Sequence, residues 1–203
     1  MAQEGITKVY NQITLLGNAQ DAGRPQLGCT QKCCEDARCN TDLSRMPVSL
    51  GLSGETFGIV EATRCITNQI HLMGNNSISE IWLTHAHLGH IEGLGQFGRE
   101  SLNSKNVKLR CSNSVVDYVL EHPIWKKLIS RGNLSFANYS SDQVEPIEVP
   151  HRSKDFDTHA LLFKGENNNV LFLPDHDTWE ETLDLVGCDN PLEWFSSLNA
   201  SII

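Results

Sequence analysis

The chain has no long apolar run. None of its hydrophobic stretches approaches the roughly 20 residues that a helix needs to cross a bilayer. The opening MAQEGITKVYNQITLLGNAQ also lacks the basic start and apolar middle of a secretion signal. The expectation is a soluble, cytoplasmic protein. Basic residues are scarce too: 16 Lys and Arg stand against 25 Asp and Glu, a net charge of -9 with no block of either sign, which argues against nucleic acid and anionic membranes as partners. No Gly-x-Ser-x-Gly elbow is present, so a serine hydrolase of that design is excluded. The glycine spacings of a P-loop or dinucleotide-binding turn are absent as well. No repeat or low-complexity linker interrupts the 203 residues, which read as a single domain. At 39% hydrophobic, the chain can bury a core without disulfides.

What is present is a series of short apolar runs bounded by Gly, Asn, Asp and Pro: QITLLG, PVSLGLSG, FGIVEA, EIWLTH, VKLRCS, PIEVPH, ALLFKG and NVLFLPD. Their β-branched content and length predict strands. Between them, GLGQFGRESLNS (93–104), SVVDYVLEHPIWKKLISRG (114–132) and TWEETLDLV (178–186) predict helices, the second kinked or restarted at Pro123. The order is α/β and suits two sheets with helices on their outer faces, or a three-layer sandwich. The final GCDNPLEWFSSLNASII has no clear periodicity.

Three of the eight histidines fall within LTHAHLGHIEGL, residues 83 to 94. If a strand ends at Thr84, His85 and His87 share one side of an extended backbone, and His90 can turn inward as a helix begins. Convergent neutral imidazoles are common ligands for zinc and iron, and three or four protein ligands with one open position is the catalytic arrangement. The alternative is a set of polar residues scattered at a strand-to-helix turn. His151 in VPHR and Asp175 after VLFLP stand at strand ends from which they can reach the same edge, with Asp177 as the competing carboxylate. His159 and His176 read as ordinary polar residues, although His176 is near enough to stand in for a missing ligand.

HAHLGH resembles the His-x-His-x-Asp-His signature of the metallo-β-lactamase fold, with Gly89 where that signature has aspartate. LGNAQDAGRPQLGC, VPHRSKDFDT and NVLFLPDHDTW are similar to segments of the branch related to pyrroloquinoline quinone biosynthesis protein B, so the resemblance runs over residues 13 to 183. It implies a four-layer αββα sandwich over residues 1–203, apparently truncated in its C-terminal part. It also implies a first metal on His85, His87 and His151, and a second site using His90, bridged by Asp175. Gly89 offers no ligand, and no histidine follows His176, so one good site and one crippled site are expected. An aspartate introduced at position 89 is expected to restore part of the second site.

Seven cysteines is an odd number, and Cys29, Cys33, Cys34 and Cys39 crowd into eleven positions, which inside a cell suggests metal more than disulfides. The same branch carries a Cys-x-Cys-x-x-Cys zinc knot; here Cys29 and Cys34 match it, Gln31 replaces the middle cysteine, and Cys33 or Cys39 would have to compensate. Free thiols are the alternative. Cys65, Cys111 and Cys188 read as small packing residues, and the Gly17–Gly28 loop as lining the mouth of the site.

The function that follows is a zinc-dependent hydrolase with a small-molecule substrate, His90 and Asp175 taking part in catalysis and Asp175 orienting or deprotonating a metal-activated water. The alternatives are an iron-dependent oxidase like the related biosynthesis proteins, since three histidines do not separate zinc from iron, and a catalytically defective member. A chain ending at Ile203 is expected to leave sheet surface uncovered and to self-associate.

Overall fold

Apolar residues at every second position become two-sided burial in the computed structural model, which describes residues 9–74 and 77–202. The first sheet holds six strands in sequence order, β1 (Tyr10–Gly17), β2 (Ser49–Gly54), β3 (Phe57–Val60), β4 (Glu80–Trp82), β5 (Val107–Arg110) and β6 (Leu134–Ala137). β1 to β3 pair antiparallel and β3 to β6 parallel. Helix α1 (Lys32–Cys39) lies in the long β1–β2 connection. Parallel neighbours require crossovers. These are α2 (Ile66–Leu72), then α3 (Leu88–Ile91) with a 3-10 segment Glu92–Phe97, then α4 (Asn113–Glu121) with α5 (Pro123–Ser130). The second sheet is built from β7 (Val144–Val149), β8 (Thr158–Phe163) and β9 (Asn169–Phe172), antiparallel, followed by α6 (Trp179–Val186) and α7 (Pro191–Leu198), with β10 (Ala200–Ile202) parallel to β9 at its edge.

Three apolar layers follow from the strand alternation. Val60, Trp82, Leu161 and Phe172 meet between the sheets, together with Tyr10, Leu50 and Leu52. Ile59 and Ile81, one position away on the same strands, pack under α4 and α5 against Val115, Val119 and Leu128. Ala160, Leu162 and Leu171 face the other way, against Trp194 of α7. The stack is therefore helix, sheet, sheet, helix, the four-layer option of the two the sequence left open. No helix among the described residues is long and apolar enough to cross a membrane.

Three local expectations change. Residues 93–104 do not form the expected α-helix but a 3-10 segment and turns. Gly93 presses on the backbone of Ala62 and Thr63, so closely that a Cβ there would lie 2.2 Å from the Thr63 carbonyl oxygen. β6, which the sequence reading leaves unassigned, pairs with β5. The C-terminal segment without periodicity is helix α7, capped by Asn190, opened by Pro191 and closed by Asn199 at φ 47°, and it leads straight into β10. Pro123 restarts the chain as expected, standing first in α5.

Candidate metal centre

Every side chain of the centre leaves the carboxyl end of a strand. Asp21 follows β1, Glu61 follows β3, His85, His87 and His90 follow β4, His151 follows β7 and Asp175 follows β9. Carboxyl ends of strands in such sheets open into crevices because the crossover helices lie to the sides. Here the two sheets bring their ends to one edge, above a cleft of about 740 Å³ bordered by Asp21, Leu88, Tyr118, Arg152 and Asp175.

Three imidazole nitrogens converge at the floor. His87 Nδ1 lies 2.9 Å from His85 Nε2 and 3.2 Å from His151 Nε2. Hydrogen bonds on the far side of two of the rings select these atoms. The Thr84 hydroxyl donates to Glu61 Oε1 at 2.6 Å, so its oxygen accepts from His85 Nδ1–H at 2.9 Å and leaves Nε2 a bare lone pair. His151 Nδ1 donates to Asp177 Oδ1 at 3.0 Å, with the same result for its Nε2. Asp177, the competitor of Asp175, therefore holds His151 from behind. Burial, together with the neighbouring His90, His87 and His151 rings, drives His85 far below the ordinary imidazole range, and burial with His151 lowers His87 also. Neutral rings with facing lone pairs repel one another unless a cation or proton lies between them, which is the donor arrangement of a divalent metal site.

A second group lies beside the first. Among the described residues, His85, His87 and His151 form one set of ligand atoms within 4.8 Å of each other, and His85, His90 and Asp175 form another. His90 is 1% exposed, and neither ring nitrogen makes a hydrogen bond. Yet Nε2 is 3.0 Å from Asp175 Oδ2 and 3.3 Å from Asp21 Oδ1, and Nδ1 is 3.4 Å from Glu61 Oε1. Burial opposes charge on this ring, but the Glu61 carboxylate, with Asp175 and Asp21, overrides it and holds the ring well above the usual range. Anionic oxygens around a buried ring without hydrogen-bond geometry make an environment that a cation satisfies, so the residues fit a metal at this position also. Glu61 itself is fully buried and sits at φ 67°. That left-handed bend is costly for a side chain with a Cβ, and it turns the carboxylate under both Thr84 and His90.

The remaining candidates lie apart. His176 faces α6, with Nδ1 3.4 Å from the Thr182 hydroxyl and its ring against Trp179, so it does not stand in for a ligand. His159 packs on Tyr139 from β8. Cys33 and Cys34 occupy the first turn of α1 and Cys39 its end, which at about 1.5 Å per residue puts Cys39 more than a turn away. All four crowded cysteines are free thiols, and they form no group of three ligand atoms within 4.8 Å. The Gln26 N–H donates to the Cys34 sulphur at 3.4 Å and, with Cys29 and Cys33 close by, holds that thiol below its usual range. Sequence reading missed Glu61 and Asp21, and took Thr84 only as the end of a strand. Glu61 and Asp21 lie outside the histidine motif, and only the shared strand ends connect them to it.

The architecture and the position of the centre define the metallo-β-lactamase fold. Zinc-bound PqqB from Methylobacterium extorquens is similar to this chain at a TM-score of 0.67 and 16% identity, over 87% of this chain and 70% of that one. A diphosphatase of the PhnP family matches at 0.59 and 18%, over 86% and 80%. The short form of human tRNase Z matches at 0.50 and 14%, over 85% and 73%. No family model matches the chain, and no curated protein does.

Proposed function

We propose that this chain is a metal-dependent hydrolase acting on a small molecule bound in the cleft. The observation that carries the reading is the convergence of three imidazole nitrogens, His85 Nε2, His87 Nδ1 and His151 Nε2, at the cleft floor, the first and last left bare by hydrogen bonds on the far side of their rings. An ion held there would polarise a substrate oxygen and activate water near neutral pH. A nitrogen-rich site with an open face suits zinc, and zinc in the PqqB of similar fold supports that choice over iron.

The chain's own residues do the rest. Asp175, about a third exposed, faces both the cleft and His90, so it can hold a proton or orient a water beside the three histidines. His90 is buried behind it and is placed to bind an ion, not to reach substrate. Arg152, largely exposed, stands at the cleft border and ion-pairs with Asp177, the residue that orients His151. The diphosphatase of similar fold supports diphosphate compounds as the first substrates to test.

The test is elemental analysis of the purified full chain beside a His85→Ala/His87→Ala variant, with turnover measured on phosphate diesters, pyrophosphate compounds and lactones, in air and without oxygen. The double variant should lose bound metal and hydrolysis together while keeping its circular dichroism. Full metal content in that variant would sink the reading, and turnover that requires oxygen would replace hydrolysis with oxidation.

A further inference from the structure

We propose that Asp21, delivered by the β1–β2 connection, is a ligand of a second metal site with His90 and Asp175, and that the absence of a side chain at Gly89 is what lets it in. The inference rests on the metal-centre reading above and extends it to a residue outside the histidine motif.

The argument starts from space. A Cβ built on Gly89 would lie 2.4 Å from Asp21 Cβ, 2.3 Å from Asp21 Cγ and 2.7 Å from Asp21 Oδ2. At these distances one of the two side chains must shift, so the space that a side chain at 89 would use is already occupied by the Asp21 carboxylate from elsewhere in the chain. That carboxylate is aimed inward, Oδ1 standing 3.3 Å from His90 Nε2, and Asp175 Oδ2 approaches the same nitrogen at 3.0 Å. His90 is the independent witness. It is buried, both nitrogens lack a hydrogen bond, and Nε2 stands within 3.3 Å of both carboxylates. One imidazole and two carboxylates, with the cleft on the open side, make a three-ligand site for a divalent ion.

The loop is anchored to put Asp21 there. Ala19 N–H and Asn18 N–H both reach the Met46 carbonyl, and Gly23 N–H closes a turn on the Gln20 carbonyl at 2.7 Å, leaving Asp21 at the turn. Gly23, at φ 71°, supplies the left-handed step that brings the chain back to pair Arg24 with Arg45. The second site, expected to be crippled by Gly89 and by the lack of a histidine after His176, therefore has a ligand relocated to Asp21. An aspartate added at position 89 would collide with the ligand already present.

The experiment titrates metal-free full chain with zinc and with cobalt, following bound equivalents by equilibrium dialysis and cobalt coordination by visible absorption. The proteins are wild type, Asp21→Asn, Gly89→Asp, the exchange variant Asp21→Gly/Gly89→Asp, and His85→Ala/His87→Ala. Wild type should take up two ions at the centre. Asp21→Asn should bind the first as before and the second roughly 100-fold more weakly, since loss of even an outer partner costs about 10- to 100-fold. Gly89→Asp should gain no further ion, and the exchange variant should recover the second, which guards against Asp21→Asn acting through misfolding. A second isotherm unchanged in Asp21→Asn, or an extra equivalent in Gly89→Asp alone, overturns the assignment of Asp21 and leaves the three-histidine site standing. Metal content identical in wild type and His85→Ala/His87→Ala overturns both.

Discussion

One hydroxyl decides which nitrogen of His85 faces the cleft. Thr84 has a single proton to give and gives it to Glu61, so its oxygen must accept from His85 Nδ1. Thr84→Val keeps the shape and removes that relay, and the ring can then turn or take the other tautomer. Metal affinity should fall roughly 10-fold, as for other outer partners of metal ligands, measured by competition with a chromophoric chelator; equal affinity in the two proteins would show that the relay does not set the tautomer. The residue scale also shows where sequence reading reached. His85, His87 and His90 announce themselves by density, and His151 and Asp175 by their place after apolar strands. Glu61 and Asp21 do not, because a carboxylate just past a strand or in a turn is commonplace until the fold shows what it faces.

At the scale of elements, glycine and capping residues account for the helices that form and the one that does not. Gly93 contacts the Thr63 carbonyl through its missing side chain, and Gly93→Ala should destabilise the protein by about 1–3 kcal/mol, the usual cost of overpacking, read from the urea midpoint at unchanged slope. Helix α6 starts at a reciprocal cap: Thr178 Oγ1 accepts from the Glu181 N–H at 3.2 Å and donates to the Glu181 carboxylate at 2.9 Å. Thr178→Ala should cost about 1 kcal/mol, checked the same way, and a stability equal to wild type would mean that packing of α6 on the second sheet outweighs its cap. Strand β6 went unread because LSFA is too short to show alternation, and its identity comes from the β5 edge that it pairs with.

For the whole molecule, the two sheets matter because they are the only route by which residues 64 positions apart, His87 and His151, come within 3.2 Å. Metal bound to groups from both sheets ties them together in the folded state alone, so removing it should lower stability. At a free metal concentration of about 100 times Kd the linkage is worth roughly 2.7 kcal/mol, or a Tm fall of roughly 5–10 °C on chelation for a chain of this length, measured by calorimetry with and without chelator. No change in Tm would mean that the ions bind folded and unfolded chains alike. Between the sheets Phe172 is fully buried, and Phe172→Ala should cost about 3–5 kcal/mol, a large share of the roughly 5–15 kcal/mol stability of an ordinary domain, seen as a large drop in the urea midpoint.

The sequence by itself determined the strands other than β6 and β10, the restart at Pro123, the histidine triplet and its resemblance, because these are local: period, breaker and spacing are properties of neighbours in the chain. Only the tertiary structure decided that Asp177 supports His151 while Asp175 faces the cleft, that His176 turns to α6, and that the side chain missing at Gly89 is replaced in space by Asp21. Each depends on which strand end meets which. That is set by burial of the apolar faces between two sheets, an interaction among residues far apart in sequence.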